Sequence, residues 1–202
     1  SLLRNDDLKE GLSKQYDVII IPDQSLSQIM EGHKEGDMPP EYVGGLGEAG
    51  VAQLKAFVDA GGRLLLNKRA SDIALEHFGI PVKNVLKDVE AADFTCPGSV
   101  LKVSYSPSPT TRGMSAQGIG YFAQGQAYDI EDPTGIEVVA SYPDEPLLIS
   151  GWLEGGELIQ GKAAVINAPI GKGTVTLFGF NVQNRMQAYG TIKLMMNSIM
   201  ND

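Results

Sequence analysis

Serine, cysteine and histidine are the side chains of this sequence that could supply a nucleophile or a base. The first candidate lies at residues 67–71, where a predicted strand passes into a predicted helix. Hydrolases of the α/β class carry their nucleophile on such a strained turn, between small residues. Here Lys68 and Arg69 occupy the turn without flanking glycines, which leaves the hydroxyl group of Ser71. We interpret Ser71 as the cap of the following helix rather than as a nucleophile.

Cys96 is the single cysteine and the second candidate nucleophile. A catalytic cysteine needs a nearby base, and neither His33 nor His77 is close to it in sequence. A cysteine that follows an aromatic residue and precedes Pro-Gly is more typical of a small buried residue. One cysteine also excludes an internal disulfide framework and a thiolate zinc site.

The two histidines offer little metal chemistry. His33 stands among Glu31, Glu35 and Asp37, which could form an oxygen-rich metal site. The spacing matches no zinc motif, because no second histidine follows at the required distance, and we favour a solvated loop. His77 falls at the end of a predicted helix, where an imidazole complements the helix dipole. The sequence therefore predicts no metal site and no cofactor.

Two groups of residues could bind an anion. The run 171–174 reads Gly-Lys-Gly-Thr, but it lacks the upstream glycine spacing and the following helix of a phosphate-binding loop, so a hairpin turn is the better interpretation. Lys68, Arg69, Arg112 and Arg185 would form an anion-binding pocket if they converged. We favour surface salt bridges for these four cations.

Composition narrows the possible partners. The chain has 202 residues, 43% of them hydrophobic and 20% charged, which are values of a folded globular protein. Its formal net charge of −9 and its lack of a basic cluster argue against binding to nucleic acid. No stretch approaches the roughly 18 apolar residues that a membrane span needs. We expect neither nucleic acid nor a membrane as a partner.

The order of predicted elements indicates an α/β protein with a parallel sheet. Residues 16–22 form a continuous β-branched run, typical of a strand that is buried on both faces. The segment 23–47 is too long for an ordinary connection and suggests a functional or interaction loop. The elements that follow are a helix, a strand and a second helix, at 47–61, 63–67 and 71–78.

The middle and the end of the chain add β structure. We interpret residues 93–160 as a β-rich elaboration within a single domain at 1–202, with runs at 99–105, 136–142 and 147–152. The runs 163–166 and 174–178 flank a glycine-containing turn and predict a hairpin. A last helix is predicted over 187–200.

Several runs together resemble the C-terminal region of bacterial zinc carboxypeptidase-like proteins. They are residues 16–23, 38–42, 44–47, 70–72, 96–99, 148–153, 171–173, 177–180 and 190–194. The resemblance spans nearly the whole chain. It implies a flavodoxin-like, class I glutamine amidotransferase-like fold, with a parallel sheet and helices on both faces, which follows a secreted or periplasmic peptidase domain.

The catalytic pattern of the amidotransferases is missing from this chain. Laid on the sequence, their nucleophilic cysteine falls on Lys68 and the second glycine of that motif falls on Ala70. Their His-Pro-Glu element falls near residues 183–185, which are Gln, Asn and Arg. Without a nucleophile and a base there is no thioester chemistry on glutamine. The zinc ligands of the peptidase domain are missing as well.

The resemblance also implies that the first βα unit of the fold is absent from this chain. Loss of a central strand would leave unpaired backbone groups in the sheet. We therefore expect the chain to pair with a partner, either the peptidase domain or a second copy in a homodimer, or to rearrange that edge.

The resemblance and the missing catalytic residues together imply a non-catalytic accessory domain of a zinc carboxypeptidase-like protein. The resemblance also implies a periplasmic or secreted location. Open α/β sheets bind ligands at the carboxyl ends of their parallel strands. That rule gives six candidate ligand-binding residues, which the segment 33–47 is expected to cover: Asp23, Gln24, Asn67, Lys68, Arg69 and Asn181.

Two alternatives stay open. One is a divergent hydrolase that uses Cys96 or Ser71 with a nearby histidine. The other is a sugar- or peptide-binding module with an aromatic platform, for which the candidates are Trp152, Tyr121, Phe122 and Tyr128. An exposed pair of these aromatic rings would favour the second alternative.

Overall fold

The computed structural model describes residues 1–9, 11–185 and 187–200. Its four α-helices are α1 Leu26–Met30, α2 Gly47–Asp59, α3 Asp72–His77 and α4 Tyr189–Met200. Its strands are β1 Val18–Ile21, β2 Arg63–Asn67, β3 Val82–Asn84, β4 Ser99–Tyr105, β5 Gln117–Phe122, β6 Tyr128–Ile130, β7 Glu137–Ser141, β8 Leu148–Ser150, β9 Ala163–Ile170 and β10 Gly173–Phe178. No helix in the described part of the chain is long and apolar enough to cross a membrane.

All ten strands belong to one mixed sheet, whose main order is β1-β2-β10-β9-β7-β4-β5. The pairs β1–β2 and β2–β10 are parallel, and the pairs from β10 onward are antiparallel. The β-rich middle of the chain therefore continues the same sheet. The carboxyl ends of β1, β2 and β10 lie on the same side of the sheet, because parallel strands run in the same direction.

Each face of the sheet carries its own hydrophobic core. On one face α2 packs over β2 and β10, around Leu64, Leu66 and Val175. On the other face α4 closes a core that contains Leu65 and Phe178. Successive residues of β2 thus point into different cores, as the pleat of a strand requires. Helices on both faces confirm the predicted α/β fold class.

The glycine-containing turn at residues 171–173 joins two antiparallel strands, so the predicted hairpin is confirmed. Gly171 has φ +56°, and a Cβ atom there would lie 2.6 Å from the Cα of Asp59. Only glycine combines this left-handed backbone with so close an approach to α2. The turn is a packing device and not a phosphate-binding loop.

Two sequence-based expectations need correction. The run 16–22 was expected to be buried on both faces, but β1 lies at the end of the strand order and Ile20 is 41% exposed. A strand at the end of the order has a neighbouring strand on one side only, so side chains such as Ile20 are covered less completely. The segment 23–47 is also not a plain loop, because it contains α1 and a 3₁₀ helix at Pro40–Tyr42.

Candidate functional site

The turn after β2 has the geometry of the strained turn that carries a nucleophile in α/β enzymes. Strand β2 ends at Asn67, a 3₁₀ helix spans Lys68–Ser71, and α3 begins at once. Lys68 has φ +48°, a left-handed conformation that costs an L-residue about 1–2 kcal/mol. The residue that the sequence resemblance aligned with the missing nucleophile therefore occupies the strained position.

The side chain of Lys68 is bound at its ammonium group. It is 8% exposed; its Nζ lies 2.7 Å from Asp23 Oδ2 and donates to the carbonyl oxygen of Ala123 at 2.9 Å. Asp23 also accepts a hydrogen bond from Arg69 Nε, at 2.9 Å on its other oxygen. Burial by itself would raise the pKa of Asp23, but hydrogen bonds from Arg69 and Lys68 outweigh burial and hold this pKa below its ordinary value. The carboxylate is thus held charged between two cations.

The structure brings together part of the set of six predicted ligand-binding residues. Asp23, Lys68 and Arg69 form the ion-paired cluster, and Asn67 Nδ2 donates to the carbonyl oxygen of Ile21 at 3.1 Å, at the end of β1. These contacts lie at the carboxyl ends of the parallel strands, where the sequence placed them. Within the long segment, α1 contacts the turn.

The remaining two predicted residues differ from this cluster. Gln24 is exposed and has no hydrogen bond among the described residues. Asn181 donates its backbone N–H to Tyr121 at 2.9 Å, two residues before the carbonyl group that Lys68 binds. Its side-chain Oδ1 is buried without a hydrogen-bond partner in the described chain. Most buried polar atoms have a hydrogen-bond partner, so this acceptor is an exception within the described chain.

Ser71 occupies the N-cap position of α3, as the sequence interpretation placed it, but its side chain does not act as the cap. No hydrogen bond from its side chain caps α3; its Oγ instead lies 3.0 Å from the hydroxyl group of Tyr128, and Ser71 is fully buried. Tyr128 also contacts Gln126 Oε1 at 3.0 Å, and Gln126 Nε2 donates to Asp72 at 2.7 Å. Sequence reasoning missed this buried network because its members are up to 57 residues apart.

The pKa shifts within this network have a common cause. Burial raises the pKa of Asp72 above its ordinary value, and the hydrogen bond from Gln126 only partly opposes the shift. Burial likewise raises the pKa of Tyr128 far above that of a free tyrosine. Both shifts have the same physical cause, because a buried site disfavours the charged form of each group.

Neither candidate nucleophile has an imidazole partner in the described chain. Cys96 is 8% exposed, its Sγ contacts the carbonyl oxygen of Phe122 at 3.8 Å, and burial raises its pKa. Of the histidines, His77 lies with Nδ1 4.0 Å from Glu48 Oε2 on the surface. His33 pairs through its backbone with Gly44. A raised thiol pKa and a missing base both oppose nucleophilic chemistry.

The acidic residues near His33 do not assemble. Within residues 1–9, 11–185 and 187–200, no group of three or more histidine, cysteine or acidic side chains is placed to hold a metal ion. The four cations Lys68, Arg69, Arg112 and Arg185 share no common anionic partner among the described residues. Asp23 joins Lys68 to Arg69, whereas Arg112 and Arg185 are exposed and neither forms an ion pair among the described residues.

The aromatic platform is only partly available. Trp152 is 58% exposed and Tyr121 is half-buried, but Phe122 and Tyr128 are each 1% exposed, so their inclusion was wrong. Phe122 points inward from β5, next to the outward Tyr121, and packs edge-on against Tyr142 with ring centroids 5.9 Å apart. Alternation along the strand decides which of the two neighbouring rings reaches solvent.

Comparison with known proteins gives structural likeness only. No protein-family model and no curated protein sequence matches the chain. A cytoplasmic protein of Salmonella typhimurium matches with a TM-score of 0.55 and 14% identity, over 97% of this chain and 78% of that one. A β-galactosidase from Bacillus circulans sp. alkalophilus matches with a TM-score of 0.51 and 15% identity, over 94% of this chain. This chain spans 23% of the β-galactosidase.

A GMP synthase component from Thermoplasma acidophilum also matches, with a TM-score of 0.48 and 12% identity, over 75% of this chain and 63% of that one. At such identities the likenesses show a fold and no activity. Nothing in these matches links the chain to zinc carboxypeptidase-like proteins.

Proposed function

We propose that this chain is a non-catalytic accessory or interaction domain, built on an amidotransferase-like fold. The observation that supports it most strongly is Lys68 at the strained turn, where an amidotransferase would hold its nucleophile. An ammonium group that is bound to a carboxylate and a carbonyl oxygen has no lone pair with which to attack a substrate. The position is used for an ion pair instead of for chemistry.

The rest of the site agrees with this proposal. Ser71 is buried against Tyr128, and Cys96 is buried against a carbonyl oxygen. A hydrolase would need one of them to be exposed and to contact a base. The divergent-hydrolase alternative therefore has no nucleophile–base pair among the described residues.

The proposed role includes a partner or a ligand. The guanidinium group of Arg69 uses Nε to bind Asp23, and the Arg69 side chain is 38% exposed, so part of it stays accessible to a ligand. Arg69 lies at the carboxyl ends of the parallel strands, where open α/β sheets bind ligands. The zinc carboxypeptidase-like parent, with its periplasmic or secreted location, is part of the proposal on the strength of the sequence resemblance alone.

A homodimer is the second partner within this proposal. Strand β1 pairs with one strand, β2, in the described part of the chain, and Ile20 projects from it with 41% exposure. An edge strand of this kind is a template for pairing with another chain. Light scattering of the chain and of an Ile20→Lys variant tests this partner; equal monomer masses for both would exclude the homodimer.

Release of ammonia from glutamine and of phenolate from a simple ester tests the non-catalytic role. We expect no product above the buffer rate from the unaltered chain, from Cys96→Ala or from Ser71→Ala. The exposed Ser115→Ala is the matched control. Turnover that Cys96→Ala or Ser71→Ala abolishes and Ser115→Ala retains would overturn the proposal.

One observation favours the alternative of a sugar- or peptide-binding module. Trp152 is 58% exposed, and it is the single tryptophan of the chain. Its fluorescence therefore reports binding at this surface without interference. A saturable change on titration with oligosaccharides or short peptides, lost in Trp152→Ala, would support this module; an unchanged spectrum would count against it.

A further inference from the structure

A second polar site lies at the amino ends of the parallel strands, opposite the carboxyl ends where Lys68 lies. There, a cavity of about 840 Å³ opens where the parallel strands begin, beside Asp17 before β1, Arg63 at the start of β2 and Gly173 at the start of β10. The volume is that of an ordinary small-molecule site. None of the residues that line this cavity belongs to the Asp23–Lys68–Arg69 cluster.

Arg63 brings an unsatisfied donor to this cavity. Its Nη1 is buried and has no hydrogen-bond partner among the described residues. Buried guanidinium nitrogen atoms normally bind a carboxylate, a carbonyl group or water, and an orphan is costly. Arg63 as a whole is half-buried and lines the cavity, so a rotation of its guanidinium group would present this free N–H to an anionic ligand there.

The far wall of the cavity is an ordered polar row across three neighbouring strands. Thr176 Oγ1 on β10 donates to Asn167 Oδ1 on β9 at 2.7 Å. Asn167 Nδ2 donates to Glu137 Oε2 on β7 at 2.7 Å and to Thr110 Oγ1 at 3.1 Å. These bonds use both side-chain N–H groups of Asn167 and one acceptor position of its Oδ1. They leave the second oxygen of Glu137 and the hydroxyl hydrogen of Thr110 without a described partner.

Thr110 is held in place from the other side of the cavity. It is 1% exposed and lies in the 3₁₀ helix Pro109–Thr111. Asn197 on α4 donates its side-chain Nδ2 to the carbonyl oxygens of Thr110 and Arg112, at 2.9 and 3.0 Å. The polar wall is thus fixed by α4 as well as by the sheet, which gives the preformed character typical of binding sites.

Spacing and charge define the ligand. Thr174 on β10 pairs with Arg63, and β9 and β7 follow in the sheet order. The row of Glu137, Asn167 and Thr176 continues to Leu65, so Arg63 lies three strand spacings, or about 14 Å, from Glu137 across the sheet and two residues, or about 7 Å, along it. Both side chains line the same cavity. The cavity residues Asp17, Glu137, Arg63 and Lys172 carry two charges of each sign.

We propose that this cavity binds a small carboxylate that carries an amino or hydroxyl group, such as an α-amino or α-hydroxy acid. The guanidinium group of Arg63 receives the carboxylate of the ligand, and the second oxygen of Glu137 receives its amine or hydroxyl group. The proposal is independent of the proposed non-catalytic role, because it uses a different set of residues.

Thermal unfolding with millimolar L-serine, L-malate, acetate and inorganic phosphate tests this site. We expect L-serine or L-malate to raise the midpoint of the unaltered chain by a few degrees, since a ligand that binds only the folded state stabilises it. Acetate lacks the second contact and should bind at least tenfold more weakly. Midpoint shifts by all four probes alike would reveal an adventitious anion effect and overturn the proposal.

Variants assign the effect to the cavity. Arg63→Met and Glu137→Gln should each weaken binding tenfold or more, Arg63→Lys should weaken it less, and the exposed Arg185→Met should leave it unchanged. Removal of an unpartnered guanidinium group also predicts that Arg63→Met without ligand unfolds at an equal or higher temperature, so loss of binding is separable from loss of fold. No shift with any probe, or a shift that survives Arg63→Met, would exclude this site.

Discussion

Lys68 Nζ lies 2.7 Å from Asp23 Oδ2, and this ion pair joins the ends of two neighbouring parallel strands. Asp23 comes two residues after β1, and Lys68 follows the last residue of β2. The lysine side chain is 8% exposed and the aspartate side chain 23% exposed, so water screens the pair only partly. The ion pair stabilises the strained turn, and its lysine occupies the position that a nucleophile would hold.

Removal of the carboxylate should destabilise the fold. Asp23→Asn leaves the buried ammonium group of Lys68 without its counter-charge, and we expect the free energy of unfolding to fall by about 2 kcal/mol. Urea denaturation measures this change. The exposed Asp144→Asn should stay within about 0.5 kcal/mol of the unaltered chain. Equal stabilities of the two variants would contradict the importance of the ion pair.

The pH dependence of the Asp23 contribution has a defined sign. Its pKa in the folded state lies below the ordinary value of 3.8, so its stabilising effect is present above pH 3.8 and is lost as the pH falls through the folded-state pKa. The stability difference between the unaltered chain and Asp23→Asn should therefore shrink below pH 3.8. Urea titrations at a series of pH values test this, and a difference that grows on acidification would refute it.

The backbone strain at Lys68 can be separated from its ion pair. Lys68→Ala and Lys68→Gly both remove the ammonium group, but only glycine accepts φ +48° without cost. We expect the glycine variant to be more stable than the alanine variant by about 1 kcal/mol. At the exposed Ala52 in α2, replacement by glycine should have the opposite sign, with a loss of about 1 kcal/mol. The same sign at both positions would argue against strain.

The buried Tyr128 hydroxyl group should contribute to stability through its two contacts. Tyr128→Phe leaves Ser71 and Gln126 short of a partner inside the protein, and a loss of about 1–3 kcal/mol is expected. Chemical denaturation of this variant beside Tyr189→Phe gives the comparison, because Tyr189 is 77% exposed. An undiminished stability of Tyr128→Phe would mean that water replaces these bonds.

Local patterns predicted several elements well. Strand β4 spans Ser99–Tyr105, the range expected from its run of alternating residues, and its buried positions alternate along the strand. Strand β5 was not predicted, because Gly118 and Gly120 interrupt the run of residues that favour a strand. A Cβ atom at Gly118 would lie 2.6 Å from the ring of Tyr105, so the glycines serve close packing that propensity cannot reveal.

Sites were predictable where topology alone brings residues together. Asp23, Lys68 and Arg69 follow adjacent parallel strands, and the rule for strand ends was sufficient to group them. The N-cap position predicted at Ser71 is confirmed, but its side chain makes no capping hydrogen bond because its hydroxyl group contacts a distant partner, Tyr128. The polar cavity draws on residues from separate segments such as Arg63 and Glu137, whose convergence depends on strand order. No local pattern carries that information.

The most direct test of the non-catalytic role is the intact mass of the native chain after exposure to iodoacetamide and to a fluorophosphonate. A buried Cys96 with a raised pKa and a buried Ser71 without a base should give no stoichiometric adduct until the chain is unfolded in urea, where Cys96 reacts fully. Rapid, saturable addition of one label at Ser71 or Cys96 in the native chain would contradict the account and would identify a working nucleophile.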